Sequence, residues 1–232
     1  MSMLLAAAAA FLLLHLLVSG TRVRDALTGA IGDGPYMGLF SLASVALIVW
    51  LGFAYAGAAR AGQAAVWWTP SAATKWIQLL VQLIAVFFIV GGLSTPNPTS
   101  VRQEATLDRP DTIKGMLRLT RHPFLWGAAL WGAGHLMVRG DAPSIVLFGS
   151  ILILAVLGTF SIDAKRKRTL GARWAPFAAA TSNIPFAAIA AGRQRLAIGE
   201  IGAARIVLAL AVWAGLVFTH PLLFGVSPIP GR

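Results

Sequence analysis

The chain has 232 residues, of which 57% are apolar and 12% are charged. This composition excludes an ordinary soluble domain, in which charged residues make up about a quarter of the chain. The net charge of +11 would suit a nucleic-acid partner, but the basic residues fall between the apolar runs, as orientation in a membrane requires, so no nucleic-acid partner is expected.

Six apolar runs are long enough to cross a membrane as helices. They predict an all-α fold, a polytopic transmembrane helical bundle of about six spans in one domain, residues 1–232. In chain order the predicted spans are 3–18, 36–59, 75–93, 122–138, 142–162 and 205–224. The stretch 174–192 is also apolar, but it is interrupted by Pro176, Asn183 and Pro185, which favour an interfacial or re-entrant segment.

The distribution of basic residues predicts the orientation. Fifteen of the 19 Lys and Arg residues lie in the first, third and fifth connections between predicted spans, and four lie on the other side: Arg60, Lys75, Arg139 and Arg232. Positive charge favours the cytoplasmic side. We therefore expect a protein of the bacterial inner membrane with both termini in the periplasm, in contact with membrane lipids.

All four histidines, His15, His122, His135 and His220, lie in or against apolar runs. An imidazole at membrane depth is costly unless a neighbouring group or a bound ligand satisfies it. Because the chain has no cysteine, a bound metal or haem would have to be held by histidine, carboxylate, methionine or tyrosine. Neutral imidazole is the common ligand of haem iron, whereas a hydrogen bond between helices is the plain structural alternative.

Depth in the membrane limits which histidines can meet. His122 and His135 are thirteen residues apart, about 20 Å along one helix, which is too far for both to bind one iron. Depth favours pairing His15 with His122 and His135 with His220. A tilted helix would also allow His15 to meet His135.

Three charged residues lie directly beside the ends of predicted spans. Arg121 precedes His122 and is a candidate for binding an anion together with it. Arg139 follows His135 and could grip a carboxylate, such as a haem propionate, or lie at the membrane surface. Asp163 precedes the basic run 165–168, with which it could pair, or it could serve a site facing the cytoplasm.

Several motifs in the second half of the chain resemble the NnrU family, a membrane family that includes plant 15-cis-zeta-carotene isomerases. They are Arg-His-Pro-x-x-Trp-Gly at 121–127, Leu-Trp at 130–131, His-Leu-x-x-x-Gly-Asp at 135–141 and Leu-Phe-Gly at 147–149. The position of His15, the tract 165–186 and the sequence from His220 to Val226 agree, so the resemblance covers nearly the whole chain. Residue 139 is arginine, where the family commonly has asparagine.

The resemblance implies an integral membrane protein that, like the carotene isomerases, uses haem b iron to isomerise a cis double bond of a lipid-soluble polyene. It implies His15 and His135 as the iron ligands and catalytic residues. The residue pattern adds four candidates for cofactor binding: His122, His220, Arg121 and Arg139. Because the bacterial namesakes are linked to nitrogen-oxide metabolism, a related redox protein and a non-enzymatic haem or nitric-oxide sensor or assembly factor are alternatives.

A second and weaker resemblance is to isoprenylcysteine and phospholipid methyltransferases. In those enzymes an Arg-His-Pro motif opens a helix, and an acidic residue, a glycine-aromatic tract and a proline follow. Asp163, Gly171, Trp174 and Pro185 follow the same order loosely. This resemblance implies S-adenosylmethionine at the cytoplasmic face, next to the Arg-His pair.

Overall fold

A computed structural model of the chain describes residues 1–62 and 64–231. Over this part of the chain the fold is all-α, and β-pairing is limited to one isolated bridge between Val66 and Asp141. Arg232, which the charge distribution placed on the outer side, lies outside the described residues.

The long helices match the predicted apolar runs. They are α1 (Ser2–Leu13, continued by a π-helical turn, Leu14–Val18), α3 (Asp33–Arg60), α4 (Ala72–Ser94), α6 (Pro123–Val138), α7 (Ala142–Leu170) and α11 (Ala203–Phe224). Shorter helices lie between them: α2 (Arg22–Ile31), α5 (Met116–Leu119), α8 (Ala175–Ala180), α9 (Ala187–Ala190) and α10 (Ile198–Ile201). The connections also contain two short 3-10 helices, Glu104–Asp108 and Gly171–Arg173.

Four helical segments of the described chain are long and apolar enough to cross a membrane: Asp33–Arg60, Ala72–Ser94, Ala142–Arg173 and Ala203–Phe224. A fifth is added if Ser2–Val18 and Arg22–Ile31, which meet at 78°, form one bent span. α6 has 16 residues and is about 24 Å long, slightly short of a bilayer core. The predicted all-α transmembrane bundle is confirmed, with six as an approximate number of spans.

Two predicted boundaries can be explained by local chemistry. α7 continues eight residues beyond its predicted end because the basic run 165–168 does not break a helix, and it stops before Gly171, whose φ of 52° is left-handed. The stretch 174–192 forms only the short helices α8 and α9, so the prediction that it is not a seventh span agrees with the structure.

The long helices pack as a row. α6 lies between α4 and α7, α11 packs on the other side of α4, and α1 and α3 pack together against α7. The contact between α4 and α6 is close because of Gly127, since a Cβ there would lie 2.8 Å from the Ala85 carbonyl oxygen. α6, which carries most of the family motifs, is therefore the central helix of the bundle.

The connection between α3 and α4 covers the turn between α6 and α7. Trp67 N donates to Gly140 O at 2.9 Å, and Trp68 Nε1 donates to Leu136 O at 2.9 Å. Gly140 has to be glycine here because a Cβ would overlap the Trp68 ring. The Gly-Asp motif thus serves a backbone contact, and its Asp141 caps α7 by accepting from Ser144 N at 3.0 Å.

Candidate functional site

His135 lies on α6 in an aromatic pocket. Its ring stacks on Phe148 of α7, with ring centres 4.5 Å apart, and lies 4.5 Å from the Trp131 ring. Nδ1 is 2.8 Å from the carbonyl oxygen of Trp131, which also accepts from Gln82 Nε2 of α4 at 3.1 Å. Because a carbonyl oxygen only accepts, Nδ1 carries the proton and Nε2 carries the lone pair. Metal-binding histidines are commonly held by such a second hydrogen bond.

His15 repeats this arrangement in the first helix. Its Nδ1 is 2.8 Å from the carbonyl oxygen of Phe11, and its ring lies 4.5 Å from Phe11 and 5.3 Å from Phe40 of α3. The same argument leaves the lone pair on Nε2. His15 also lies in the π-helical turn Leu14–Val18, and such turns are frequent at functional sites.

His220 lies near the C-terminal end of α11. Its Nδ1 is 2.8 Å from the carbonyl oxygen of Val226, and its ring lies 4.7 Å from Phe224. Within the described residues no hydrogen bond or ring contact joins His220 to His135, or His15 to His122, so neither of the pairings that depth favours is formed.

The structure does not bring His15 and His135 into contact with each other. Within the described residues the two rings share no hydrogen-bond or stacking partner, and α7 packs between α1 and α6. The described part of the chain contains no cluster of three or more His, Asp or Glu side chains placed to hold a metal ion. The donor chemistry of both rings fits haem iron, since each is fixed at Nδ1 and keeps Nε2 for a ligand.

At the other end of α6, four side chains form what we call the Asp163 cluster: Arg121, His122, Asp163 and Asn183. Arg121 donates to the Asp163 carboxylate through Nε at 2.9 Å and Nη2 at 2.7 Å. His122 Nε2 lies 2.8 Å from Oδ1, and Asn183 Nδ2 donates to Oδ2 at 3.0 Å. Asp163 thus pairs with Arg121 and His122, and its predicted pairing with the run 165–168 is not formed.

Local structure explains why these residues meet. His122 is the N-cap of α6, and Pro123 occupies the first helical position, where a missing N–H costs nothing. The segment after α8 docks on this end: Arg121 N donates to Ser182 O at 2.9 Å, and Trp126 Nε1 donates to Asn183 O at 2.8 Å. In the sequence, Asn183 stands out only as a polar residue within an apolar stretch. That polarity was the one sequence signal that it binds Asp163.

The Asp163 cluster is buried but incompletely satisfied. The His122 side chain is 1% exposed and that of Asp163 19%. His122 Nδ1 and Asn183 Oδ1 are buried without a hydrogen-bond partner in the described part of the chain. Each of these two atoms can accept a hydrogen bond, so a small molecule with a hydrogen-bond donor could bind beside the cluster. The Asp163 carboxylate itself already accepts hydrogen bonds from Arg121, His122 and Asn183.

A second ion pair joins helices near the same end of α6. Arg118 of α5 donates to Glu200 of α10 through Nε at 2.7 Å and Nη2 at 2.8 Å, a bidentate geometry. The hydrogen bonds from Arg118 and from Gly115 N lower the pKa of Glu200 from 4.5 to about 2. Sequence analysis did not single out this pair, because its members are 82 residues apart.

Arg139 is the C-cap of α6, at the end away from the Asp163 cluster. Its Nε donates to Asp141 Oδ2 at 3.0 Å, and Asp141 also caps α7. This pairing spans two residues and leaves the Arg139 side chain 37% exposed. Of the two roles considered for Arg139, the surface position agrees with this geometry.

Comparison with known proteins identifies relatives of the chain. The family model described as NnrU protein matches residues 3–228. A 15-cis-zeta-carotene isomerase, chloroplastic, from Arabidopsis thaliana is 26% identical over 154 residues, which are 64% of this chain and 41% of that protein. Its namesake from Zea mays is 26% identical over 146 residues, 60% of this chain and 38% of that protein. The chain thus covers about two-fifths of these relatives, and no solved structure matches.

Proposed function

Because this integral membrane chain belongs to the NnrU family, we propose that it isomerises a cis double bond of a lipid-soluble polyene with the help of haem b. The proposal is supported by the likeness to two 15-cis-zeta-carotene isomerases. The observation that carries it is the position of His135: within the family motif, in an aromatic pocket, with Nδ1 fixed and Nε2 left for a ligand.

Haem b would be held through Nε2 of His135. His15 is the second ligand that the family resemblance implies; because α7 packs between α1 and α6, it would reach the same iron only after a shift of α1. The carbonyl oxygens of Phe11 and Trp131 fix the two rings at Nδ1, so neither ring needs to change tautomer to bind. When bound, haem supplies an iron that can polarise a double bond and lower the barrier to rotation about it.

The surroundings of His135 suit a hydrocarbon. Trp131 and Phe148 form apolar walls on the ring. Such walls orient a long polyene by shape and exclude water from the double bond. The reaction moves no atom between molecules, so these residues only have to bind and orient the substrate.

An absorption spectrum tests the cofactor. We expect protein purified after expression with added haem to show a Soret band, and His135→Ala and His15→Ala to lose it. Thr219→Ala serves as the control and should keep the band, because it removes from another apolar helix a polar side chain that, in the described chain, hydrogen-bonds only to Gly215 O. A colourless wild type, or an unchanged band in His135→Ala, would contradict the proposal; binding of S-adenosylmethionine by the colourless protein would favour a methyltransferase.

A polyene assay tests the reaction itself. Reduced wild-type protein incubated with a 15-cis polyene should shift the absorption spectrum of the polyene, whereas His135→Ala should leave it unchanged. If haem binds and the polyene does not change, a sensor or redox role linked to nitrogen oxides replaces the isomerase.

A further inference from the structure

A cavity of about 380 Å³ lies at the cytoplasmic end of α4, in a part of the chain that the proposed reaction does not use. We call it the Arg102 pocket. Its wall contains two arginines, Arg102 and Arg109. The other lining residues include Ser94, Pro96, Gln103 and Thr106.

Hydrogen bonds fix the walls of the Arg102 pocket. Gln103 Oε1 accepts from Asn97 N at 2.7 Å and so joins the two sides, and Thr106 Oγ1 donates to Gln103 O at 2.6 Å. Arg102 itself has a φ of 59°, a left-handed conformation that a non-glycine residue rarely adopts. Strained backbone of this kind is concentrated at ligand sites.

The arginines of the pocket lack acidic partners. The two carboxylates of the adjoining 3-10 helix are used elsewhere: Glu104 pairs with Arg166, and Asp108 pairs with Arg173 at 2.7 Å. In the described chain no carboxylate lies within ion-pair distance of Arg102 or Arg109.

A third guanidinium group reinforces the positive charge. Arg205, at the start of α11, donates through Nε to Ser94 Oγ and through Nη2 to Ser94 O, each at 3.0 Å. Ser94 lines the Arg102 pocket, so the charge of Arg205 lies at its rim. Three guanidinium groups around one cavity make it a site for an anion.

The position of the pocket indicates the source of that anion. It lies where the apolar helix Ala72–Ser94 ends, and a basic pocket at this depth of a membrane protein is typical of a lipid headgroup site. The apolar side chains beside it are exposed: Leu93 is 72% and Val101 66% exposed, and both can contact acyl chains.

We propose that the Arg102 pocket binds the phosphate group of an anionic phospholipid. Arg102 and Arg109 donate to the phosphate oxygens, while Leu93 and Val101 contact the acyl chains. The bound lipid thereby ties the end of α4 to the connection that leads to α6.

Lipid binding to the detergent-purified full chain tests this proposal. The probe is a short-chain phosphatidylglycerol, compared with phosphatidylcholine of equal chain length, with binding measured by native mass spectrometry. Wild-type protein should prefer phosphatidylglycerol. The double variant Arg102→Gln with Arg109→Gln should bind it about thirtyfold more weakly, since each interfacial arginine contributes about fivefold.

Arg22→Gln with Arg195→Gln is the matched control, because both are exposed arginines of predicted cytoplasmic connections outside the pocket. It should bind as the wild type does. Equal weakening in the two double variants, or equal binding of the two lipids, would overturn the proposal. Displacement of the lipid by millimolar inorganic phosphate would also overturn it, in favour of a free-phosphate site. Arg102→Lys with Arg109→Lys should retain most of the binding and excludes misfolding as the cause of the loss.

Discussion

Asp163 accepts hydrogen bonds from three side chains that come from two separate parts of the chain. Arg121 and His122 precede α6, and Asn183 follows α8. The sequence identified Arg121 and His122 through a family motif and Asp163 through its charge, but it could not pair them. Pairing depends on how α7 and the segment after α8 pack against the start of α6, which are long-range contacts.

We expect Asp163→Asn to destabilise the protein by about 2–3 kcal/mol, because removing one partner leaves the Arg121 charge largely buried and uncompensated. Thermal unfolding in detergent, followed by circular dichroism, measures the effect. Asp108→Asn is the matched control: it breaks the pair with Arg173, whose side chain is 53% exposed, and should change stability by less than about 0.5 kcal/mol. Equal melting temperatures for the two variants would show that the Asp163 cluster does not stabilise the fold.

At the scale of elements, the close packing of α6 explains part of the family motif. Gly127 allows α6 to approach α4, and Gly140 allows the connection between α3 and α4 to lie against the turn after α6. Small residues let another helix approach closely, but the sequence does not say which helix it is. The structure identifies α4 as that neighbour for Gly127 and leaves His135 facing α7 and its Phe148.

Gly127→Ala should lower stability by about 1–3 kcal/mol, because its Cβ would meet Ala85 O and force α4 and α6 apart. Gly52→Ala in α3 is the control, since its Cβ would meet no atom within 4 Å and alanine favours the helix. Unfolding in detergent should separate the two variants. The packing argument fails if Gly127→Ala is as stable as Gly52→Ala.

At the scale of the whole molecule, the row of helices leaves wide apolar surfaces uncovered. Of the apolar 18-residue stretch of α11, only 6% is buried inside the protein, and of that of α3 only 11%. Such exposed apolar surface suits contact with lipid. Orientation in the membrane remains a prediction from the basic residues, and the absence of native cysteine makes it directly measurable.

Single cysteines introduced by Ala61→Cys and Arg195→Cys should report opposite sides of the membrane. Ala61 follows α3 on the predicted periplasmic side, and Arg195 precedes α10 on the predicted cytoplasmic side; both are exposed. A membrane-impermeant maleimide should label the first variant in intact cells and the second only after lysis. The reverse pattern would contradict periplasmic termini, and each variant controls for the other.

The sequence by itself determined the helices, because long apolar runs have one stable backbone conformation in a membrane and their ends are marked by charge, proline and glycine. It also gave the family, through motifs local to α6 and the turn after it. Only the tertiary structure decided which side chains meet: it joined Asp163 to Asn183, set Arg118 against Glu200, and placed α7 between the helices of His15 and His135. Apolar patterning specifies a helix and leaves its neighbours open, because lipid and other helices satisfy an apolar face almost equally well.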